Sequence, residues 1–562
     1  MRQKPLPIGI DNFEILITGI YYFLDKTLLI KDLIDNKAAV NLFTRPRRFG
    51  KTLNISMLQY YFEDRRDEIT GEKIDNSHLF KGLNIKAAGE KYTQYMGKYP
   101  VINLSLKSAK QPTYKMAYES LIDEIMKEYR RHKFILTSDK LLECEKKIFV
   151  DILNGEAKEI EYSRSLQFLS ICLEKYFGNK IIILIDECDV LLENAFFEGF
   201  YDEIIRFTRS VSECALERNS SLEFAIITGG FSIFKELNNL KIISILDDRY
   251  AEYFGFTDNE VIKICDDYNI EHKYETIKRW FNGYIFGKEN LYNPWSVIHY
   301  INGLKANKNK LLESYCLNTS SNSIIKNFIE RANDTTKWEI ETLIEGKTIE
   351  KPLHEDITYN DIYDDLDSLW NFILFKGYFK KISERMDENT QEKFVELAIP
   401  NLEVKYIFRT KILKWFNEKI KSEDLSILYT SIINGEVDVF QKEVNRLLKK
   451  TISFNDAYEN FYHGFMIGLL SHMDGYIVKS NRETGDGRCD IYIKPLSIFD
   501  KAVIIEMKVC DKPKELFTKP QDALQQIEDK KYAYELNESG YEDIIKYGMA
   551  FYRKDCIIKI KE

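Results

Sequence analysis

The stretch Val40–Thr52, with the sequence VNLFTRPRRFGKT, is the starting point for the fold of the first half of the chain. A short apolar run ends there in a loop that closes on Gly50, Lys51 and Thr52. In such a loop the glycine lets the backbone approach an anion, the lysine reaches terminal phosphates, and the threonine hydroxyl can bind Mg²⁺. Leu53–Phe62 then predicts a helix whose N-terminal amides point at the phosphates. The stretch predicts a phosphate-binding loop, and a strand, loop and helix without nucleotide is the alternative.

A second apolar run ends in two acidic residues. Ile181–Ile185 is unbroken aliphatic sequence followed by Asp186 and Glu187. Such a run is typical of a strand buried on both faces of a parallel sheet, which ends on the ligand side. We expect Asp186 to hold Mg²⁺, and Glu187 to orient and deprotonate the attacking water. The two runs together predict binding and hydrolysis of a nucleoside triphosphate, whereas exposed acids at a strand end are the alternative.

Two further apolar runs, Tyr99–Leu106 and Leu222–Thr228, predict buried strands of the same sheet. In ATPases with an extra strand between the phosphate-loop strand and the acidic strand, the strand after the acids ends in a polar sensor of the γ-phosphate. Thr228 occupies that position, although a polar residue that closes a strand is also typical of an ordinary turn.

Six arginines are candidates for phosphate contacts. Arg45, Arg47 and Arg48 lie within the loop, and Arg45 stands where the usual spacing has its first glycine. A guanidinium is a planar fork that suits phosphate oxygens, so one of them could replace the contacts of the missing glycine. Solvent or an acidic neighbour is the alternative for each. Candidates for a finger that stabilises transition-state charge are Arg206, Arg209 and Arg249, with surface salt bridges as the alternative.

Six segments together resemble the bacterial AAA-ATPase-like family. They are Thr44–Thr52 (TRPRRFGKT), Leu184–Asp189 (LIDECD), Asn238–Asn239 before Leu240, Tyr253–Thr257 (YFGFT), Phe281–Phe286 (FNGYIF) and Tyr292–Val297 (YNPWSV). In that family the ATPase is commonly followed by a PD-(D/E)XK nuclease-like domain, which the C-terminal part of this chain also resembles. The resemblance implies ATP and Mg²⁺ as cofactors. The expected nucleotide-binding residues are Arg45, Arg47, Arg48, Phe49, Gly50, Lys51, Thr52, Asp186 and Thr228, with Thr52 and Asp186 on the metal.

The resemblance and the composition along the chain predict four parts. They are an ATPase core over 1–255, a helical lid and linking domain over 256–400, a helical connector over 401–454 and a nuclease-like domain over 455–562. The aromatic-rich stretch Phe254–Val297 predicts a lid over the nucleotide, and a nucleic-acid platform is less favoured because the stretch has few cations. Pro7–Leu33 predicts a helix with aromatic packing, and the resemblance implies that it covers the adenine.

The last domain contains a second set of charged residues. Glycine-rich sequence leads Asp490 into one strand, and Ala502–Val509 (AVIIEMKV) is another. Residues two apart in a strand share a face, so Glu506 and Lys508 should point the same way, beside Asp490 if the strands pair. We expect Asp490, Glu506 and the Met507 carbonyl to bind Mg²⁺ or Mn²⁺, with Lys508 orienting the water that cleaves a phosphodiester.

Three more residues are expected near Asp490, Glu506 and Lys508, and an exposed strand without a site is the alternative. Glu459, from the preceding helix, could add a third carboxylate, and Gln525 and Tyr532 resemble residues near the site in related nucleases. Acids and lysines also alternate by chance on exposed strands. The unbroken run Val503, Ile504 and Ile505 favours a central strand, in which the charges need partners or a metal.

Length and composition bound these interpretations. A chain of 562 residues with 44% hydrophobic and 30% charged residues predicts two or three globular domains. Its net charge of −9 disfavours a uniform nucleic-acid coat but permits a local basic groove. Nine cysteines without a CxxC pair suggest neither zinc nor disulfides, and no apolar run approaches a membrane span. We expect a cytoplasmic protein without a membrane partner.

The sequence therefore favours an α/β P-loop ATPase with a helical lid and connector, joined to an α/β PD-(D/E)XK restriction-endonuclease-like domain. The expected function is an ATP-regulated nuclease that cleaves DNA or RNA, by analogy in defence against foreign nucleic acid, with self-association into a homo-oligomer as one arrangement. The alternatives are a nucleotide-gated switch or scaffold whose last domain binds nucleic acid or protein without cutting, and a motor that translocates on DNA.

Overall fold

The computed structural model describes residues 3–36, 38–229, 237–315, 334–355, 357–359, 361–364, 366–410, 424–449, 459–470, 473–484, 487–497 and 499–561, with Ile325, Phe328 and Arg331. Side chains are described for these residues except 334, 337, 341, 363, 364, 459–461 and 481–488. Contacts divide the chain into two compact units. The first comprises Met1–Cys316 and Glu350–Val404, and the second comprises Leu317–Ile349 and Lys405–Glu562.

The helices, in chain order, are α1 Phe13–Thr18, α2 Leu28–Asn36, α3 Lys51–Phe62, α4 Asn84–Ala87, α5 Glu90–Thr93, α6 Tyr114–Arg131, α7 Glu143–Leu153, α8 Glu159–Ser163, α9 Ser165–Phe177, α10 Cys188–Glu198, α11 Tyr201–Ser212, α12 Asp258–Tyr268, α13 Tyr274–Phe281, α14 Pro294–Ala306, α15 Asp334–Ile344, α16 Asp361–Asp364, α17 Leu366–Phe375, α18 Ser426–Asn434, α19 Val437–Lys449, α20 Glu459–Leu470, α21 Lys519–Asp529 and α22 Tyr534–Glu538.

The strands are β1 Val40–Thr44, β2 Val101–Ser105, β3 Ile181–Asp186, β4 Leu222–Gly229, β5 Leu240–Ile243, β6 Tyr284–Phe286, β7 Glu289–Leu291, β8 Ile349–Pro352, β9 Lys380–Met386, β10 Lys393–Ala398, β11 Tyr476–Thr484, β12 Gly487–Pro495, β13 Ala502–Val509, β14 Ile544–Tyr552 and β15 Asp555–Lys561.

The first unit contains a five-stranded parallel sheet in the order β2-β3-β4-β1-β5. β1 and β3 are buried at every position, which explains their unbroken apolar sequences. β4 lies between β1 and β3, so the expected extra strand separates the phosphate-loop strand from the acidic strand. The α/β prediction is confirmed.

Three helices after the sheet contribute to a separate hydrophobic cluster. α12, α13 and α14 contribute Val261, Ile277 and Tyr300 to it, and the lead-in, which is the segment of chain before α2, contributes Leu6 and Leu24. Apolar residues of Phe254–Val297 therefore pack into a helical layer, while the expected role of this layer as a lid over the nucleotide stays a prediction.

A three-stranded sheet in the order β8-β10-β9 lies in the region for which the sequence predicted only helices. Along β10, Val395 and Leu397 are buried while Phe394 and Glu396 are partly exposed, which is the period of two of a half-buried strand. Lysine and glutamate on the exposed face of β9 conceal this period in the sequence.

The second unit contains a five-stranded sheet in the order β11-β12-β13-β14-β15. β13 pairs parallel with β14, whereas the other pairs are antiparallel. β13 is central and its first six residues are buried. α21 packs closely on β14, because a Cβ on Gly548 would lie 2.1 Å from the Pro520 carbonyl oxygen.

Candidate functional sites

A cavity of about 450 Å³ lies against the phosphate-binding loop. Gly50, Lys51 and Thr52 line it together with Glu187. The lead-in contributes residues such as Tyr22 to its wall, and the helical layer contributes residues such as Trp295. The volume falls in the range of small-molecule sites, and the lining combines apolar walls with a loop that can hold an anion.

The loop geometry explains why the sequence needs Gly50. Its φ of +80° is left-handed, and it forms the N-cap of α3, which begins at Lys51. Lys51 is buried, and its Nζ donates hydrogen bonds to the carbonyl oxygens of Arg45 and Pro46 at 2.8 and 3.2 Å. Burial lowers the pKa of Lys51, while nearby Asp189, Glu187 and Asp186 oppose that shift.

The three loop arginines have three different surroundings. The Arg45 guanidinium is fully buried between the rings of Phe254 and Phe286, and burial lowers its pKa to about 10. Its Nη1 donates to the carbonyl oxygen of Ile243 at 3.2 Å. The structure therefore places the Arg45 guanidinium between aromatic rings, and Arg45 is not among the residues that line the cavity.

Arg47 and Arg48 join the loop to other parts of the first unit. Arg47 forms an ion pair with Glu193 at 3.1 Å. Arg48 lines the cavity with a φ of +70°, lies over the ring of Trp295 and donates to the carbonyl oxygen of Tyr315 at 2.7 Å. Of the three, Arg48 is the one beside the cavity, while Phe49 also lines it.

The acidic strand end and the expected sensor meet. Thr228 Oγ1 donates to Asp186 Oδ1, and the Glu187 backbone N–H donates to Thr228 Oγ1 at 3.2 Å. Glu187 has a left-handed φ of +54°, which turns the chain into α10. Burial, and then the neighbouring Asp186, raise the pKa of Glu187. A carboxyl group with a raised pKa beside the cavity is suited to accept a proton.

A buried ion network lies directly behind these acids. Lys376 Nζ contacts Asp189 Oδ2 at 3.0 Å and Glu193 Oε2 at 2.5 Å, with side chains of Lys376 and Asp189 each 2% exposed. Burial opposes ionisation of Asp189, but Lys376, Lys51 and Arg47 hold its pKa well below the usual range. Because Arg47 also pairs with Glu193, the network connects α10, the phosphate-binding loop and the turn after α17.

The same turn packs on the loop itself. Gly377 has a φ of +84°, and a Cβ there would lie 2.8 Å from Pro46 Cγ. Only glycine therefore fits both the backbone conformation and the space. The turn at Lys376 and Gly377 fixes the loop from behind.

Two of the candidate finger residues, Arg206 and Arg209, lie on α11, whereas Arg249 follows β5. Arg206 Nε donates to the carbonyl oxygen of Asp202 at 2.9 Å and lines a separate groove with Glu159 and Glu203. Arg209 also has a partner, and Arg249 is exposed. Their expected role stays a prediction.

In the second unit, Asp490, Glu506 and Lys508 come together. β12 and β13 pair antiparallel with Ile491 opposite Ile505. Asp490 Oδ2 accepts a hydrogen bond from the Met507 backbone N–H at 2.8 Å, and Lys508 Nζ contacts Glu506 Oε1 at 3.1 Å. Alternation along β13 places Glu506 and Lys508 on one face of the sheet, and the pairing of β12 with β13 brings Asp490 beside them.

Gln526 takes the place for which the sequence suggested Gln525. Its side chain donates to Glu506 Oε1 and to the Tyr532 hydroxyl at 3.2 Å, and accepts from Lys508 Nζ at 2.6 Å. Gln525 instead donates to Asp529 at 2.8 Å. Gln526 therefore orients Glu506 and Lys508.

Glu506 shows that the residues present fit a metal ion. The side chain is 2% exposed, and Oε2 has no hydrogen-bond partner among the described residues. Burial, and then the nearby Asp490 carboxylate, raise the pKa of Glu506 to about 7. A buried carboxylate oxygen without a donor is costly and is suited to a cation. Asp490, Glu506 and the Met507 carbonyl are the groups that would hold Mg²⁺.

The third expected carboxylate lies outside the described side chains. Glu459 begins α20, but its side chain is not among those described. In the part of the chain that the structure describes, no group of three or more His, Cys, Asp and Glu side chains could hold a metal. In this same part, no helix is both long and apolar enough to cross a membrane.

Two segments of the chain match known protein families. Residues 7–237 match a family described as "Predicted AAA-ATPase", and residues 457–561 match the PD-(D/E)XK nuclease superfamily. The chain carries both segments in this order. The AAA-ATPase-like segment includes Lys51, Asp186 and Thr228, and the PD-(D/E)XK segment includes Asp490 and Glu506.

One curated relative and one solved structure are also similar. An "Uncharacterized protein in vnfD 5'region" of Azotobacter chroococcum mcd 1 is 24% identical over 98% of this chain and 97% of its own. A signal transduction ATPase with numerous domains and a tetratricopeptide repeat sensor from Pyrococcus horikoshii is 13% identical, with a TM-score of 0.23, over 76% of this chain and 53% of its own.

The sequence patterns assigned no role to Lys376, Asp189 and Glu193 of the buried network, or to Gln526. A signal for Lys376 exists, because a single lysine follows the apolar run of α17 and must find an acid. Asp189 stands three residues after Asp186 in the LIDECD motif, where the helix turns it inward. For Glu193 we find no comparable signal.

Proposed function

We propose that this protein is a nucleotide-regulated nuclease. The AAA-ATPase-like segment binds and hydrolyses ATP with Mg²⁺, and the PD-(D/E)XK segment cleaves phosphodiester bonds of nucleic acid with a divalent metal. The observation that supports it most is the buried, unpartnered Oε2 of Glu506 beside Asp490 and Lys508. Defence against foreign DNA or RNA stays a prediction, as does the finer division into four parts.

At the nucleotide site, the chain supplies binding and proton acceptance. Gly50 and the N-terminus of α3 offer backbone amides to phosphate oxygens, and Lys51 offers its charge once it leaves the loop carbonyls. Thr52 and Asp186 would hold Mg²⁺, which supplies charge neutralisation on the transferring phosphoryl group. Glu187 would take the proton of the attacking water.

At the nuclease site, Lys508 and Gln526 orient the acids. A divalent metal supplies a more acidic water and neutralises charge on the phosphate. Lys508, held between Glu506 and Gln526, is placed to orient that water or to stabilise the charged phosphate. His463 Nε2 lies 3.1 Å from the Asp490 carbonyl oxygen, which fixes β12 against α20.

The nuclease test uses the purified full chain with Mg²⁺ or Mn²⁺ and single- and double-stranded DNA and RNA. We expect metal-dependent cleavage that Asp490→Ala and Lys508→Ala each reduce by roughly a hundredfold or more. Asp500→Ala, an exposed acid between β12 and β13, serves as the matched control. Cleavage that persists in both site variants would refute the mechanism, and nucleic-acid binding without cleavage would favour the switch or scaffold.

The ATPase test separates binding from turnover. Lys51→Ala should abolish ATP binding, whereas Glu187→Gln should bind ATP and fail to hydrolyse it. Arg48→Ala should weaken binding more than Arg45→Ala at equal folding, because Arg48 lies beside the cavity and Arg45 behind it. Equal turnover in wild type and Glu187→Gln would refute the role of Glu187.

A further inference from the structure

A short turn directly follows the strand that carries Glu506 and Lys508. β13 ends at Val509, and residues Pro513–Phe517 form a single 3₁₀ turn before α21 begins at Lys519. α21 in turn carries Gln526, which contacts both Glu506 and Lys508. The turn is therefore held at both of its ends by elements of the candidate nuclease site.

The turn lies on the face of the sheet that carries this site. Glu506, Lys508 and Cys510 alternate onto one face, and the Cys510 backbone N–H continues the ladder to the Phe551 carbonyl oxygen at 2.9 Å. Leu516 packs against Cys510 and Ala550. Because Ala550 pairs with Lys508 in the β13–β14 register, the turn sits beside Lys508.

The charges of the turn suit a polyanion. Lys512 and Lys514 are exposed, and Lys519 is partly exposed. The acid within the turn, Glu515, accepts hydrogen bonds from the backbone N–H groups of Asp511 and Lys512 at 3.0 and 3.4 Å. Its carboxylate is thus engaged with the backbone, while the lysines next to it face solvent.

Phe517 is the unusual member of this turn. Leu516, its neighbour, is 7% exposed and anchors the turn, whereas Phe517 is 69% exposed. A rigid aromatic ring between lysines, beside the candidate nuclease site, matches the combination by which proteins bind unpaired nucleic-acid bases. Bases of a duplex are stacked on each other and cannot offer a face to such a ring.

We propose that Phe517 stacks on an unpaired base of the nucleic acid, whose phosphates lie along Lys512, Lys514 and Lys519. The substrate of the nuclease site is therefore single-stranded or locally unpaired nucleic acid. This inference rests on the proposed function of the same site and names its substrate class. The bases of DNA and RNA stack by the same chemistry. Binding is therefore measured separately with a DNA strand and an RNA strand, to show which of the two the protein prefers.

The test measures binding with the full chain in EDTA, so that no strand is cut. Fluorescence anisotropy with oligothymidylate, oligouridylate and a mixed-sequence duplex gives the dissociation constants. Phe517→Ala should weaken single-strand binding by about fivefold to a hundredfold, and Phe517→Trp should retain it. Phe499→Ala is the matched control, because Phe499 is 92% exposed but precedes the opposite end of β13.

Two further readouts separate stacking from charge. A single-stranded probe with 2-aminopurine should lose fluorescence on binding to wild type and not to Phe517→Ala. The logarithm of the single-strand binding constant falls linearly with the logarithm of the salt concentration. Lys512→Ala and Lys514→Ala should each make this slope shallower by about 0.7. Phe517→Ala should leave that slope unchanged, since a ring displaces no counterion.

Each outcome decides the inference. Equal single-strand affinity in Phe517→Ala and wild type overturns it, as does an equal loss for duplex and single strand. Self-association that depends on Phe517, without nucleic-acid binding, also overturns it and assigns the ring to a protein interface. Binding that depends on Phe517 without any cleavage refutes the proposed nuclease alone, whereas cleavage of single strands that is insensitive to Phe517→Ala refutes the stacking alone.

Discussion

Glu506 makes the metal-free protein sensitive to pH. Its pKa rises from 4.5 to about 7 on folding, first because of burial and then because of Asp490, with Lys508 opposing. Between these values the folded state holds a proton that the unfolded state has released. The stabilisation is therefore present below pH 4.5 and is lost as the pH rises through 7, on the order of 3 kcal/mol.

We expect Glu506→Gln to remove this dependence, because an amide cannot ionise. In EDTA at pH 8 the variant should unfold at a higher temperature than wild type, and near pH 4.5 the two should be similar. Mg²⁺ should then stabilise wild type at pH 8 but not the variant, since a metal that binds the folded state alone raises stability. Thermal unfolding across the pH range measures both effects, and parallel pH profiles would contradict the expectation.

At the scale of single residues, period and motif predicted most of the candidate sites. The alternation along AVIIEMKV brings Glu506 and Lys508 to one face, and the structure places Asp490 beside them. Gln526 was assigned one residue early, because the rotation of α21 about its axis depends on how it packs against Gly548. Arg45 could not be placed, since the rings that enclose it come from residues more than 200 positions later.

At the scale of elements, the turn after α17 supports the phosphate-binding loop. We expect Gly377→Ala to weaken ATP binding, because its Cβ would meet Pro46 at 2.8 Å and displace the loop. The matched control is Gly178→Ala at the end of α9, where φ is +74° and no heavy atom lies within 4 Å of a Cβ. Both substitutions should cost roughly 1–2 kcal/mol in backbone strain, but only the first should change nucleotide affinity.

Calorimetric titration with a nonhydrolysable ATP analogue, together with denaturant unfolding, separates the two effects. Equal nucleotide affinities in Gly377→Ala and Gly178→Ala, at comparable stability, would show that the turn does not position the loop.

The buried network should dominate the stability of this region. Lys376→Ala removes the cation that Asp189 and Glu193 share, and it leaves Asp189 buried without its nearest partner. Breaking a buried pair in this way costs about 3–5 kcal/mol. Lys381→Ala, on the nearby strand β9 with a surface pair to Glu384, should cost no more than about 1 kcal/mol. Denaturant unfolding of both variants checks the difference, and similar losses would contradict a special role for Lys376.

The elements themselves were predictable where burial is complete. Ile181–Ile185 and Ala502–Val509 became β3 and β13 because each contains an unbroken apolar run that is buried on both faces of its sheet. α3 begins two residues earlier than Leu53, at Lys51, since Gly50 provides the turn. The sheet of β8, β9 and β10 was missed, because its exposed lysines and glutamates resemble a solvated helix.

At the scale of the whole molecule, the order of the sequence and the grouping of contacts differ. Leu317–Ile349 groups with the second unit and Glu350–Val404 with the first, while the four consecutive parts stay a prediction. Composition cannot reveal that the chain rejoins the first unit at Glu350, because long-range contacts decide which unit a segment joins. This grouping matters for function, since it places Lys376 and Gly377 in the same unit as the phosphate-binding loop.

If nucleotide binding regulates the nuclease site, the two sites must influence each other equally. A factor by which ATP changes nucleic-acid affinity must also appear when nucleic acid changes ATP affinity, and regulatory couplings are typically about 5- to 150-fold. We expect single-stranded DNA in EDTA to change the dissociation constant of a nonhydrolysable ATP analogue by the factor with which that analogue changes DNA binding.

Phe517→Ala should shift the DNA concentration at which this happens, because it weakens the complex and leaves the nucleotide site intact. Lys51→Ala should bind DNA with the affinity of nucleotide-free wild type at every analogue concentration, because no nucleotide reaches its loop. If neither ligand alters the affinity of the other in wild type, the two segments act independently, and the word "regulated" must be removed from the proposed function.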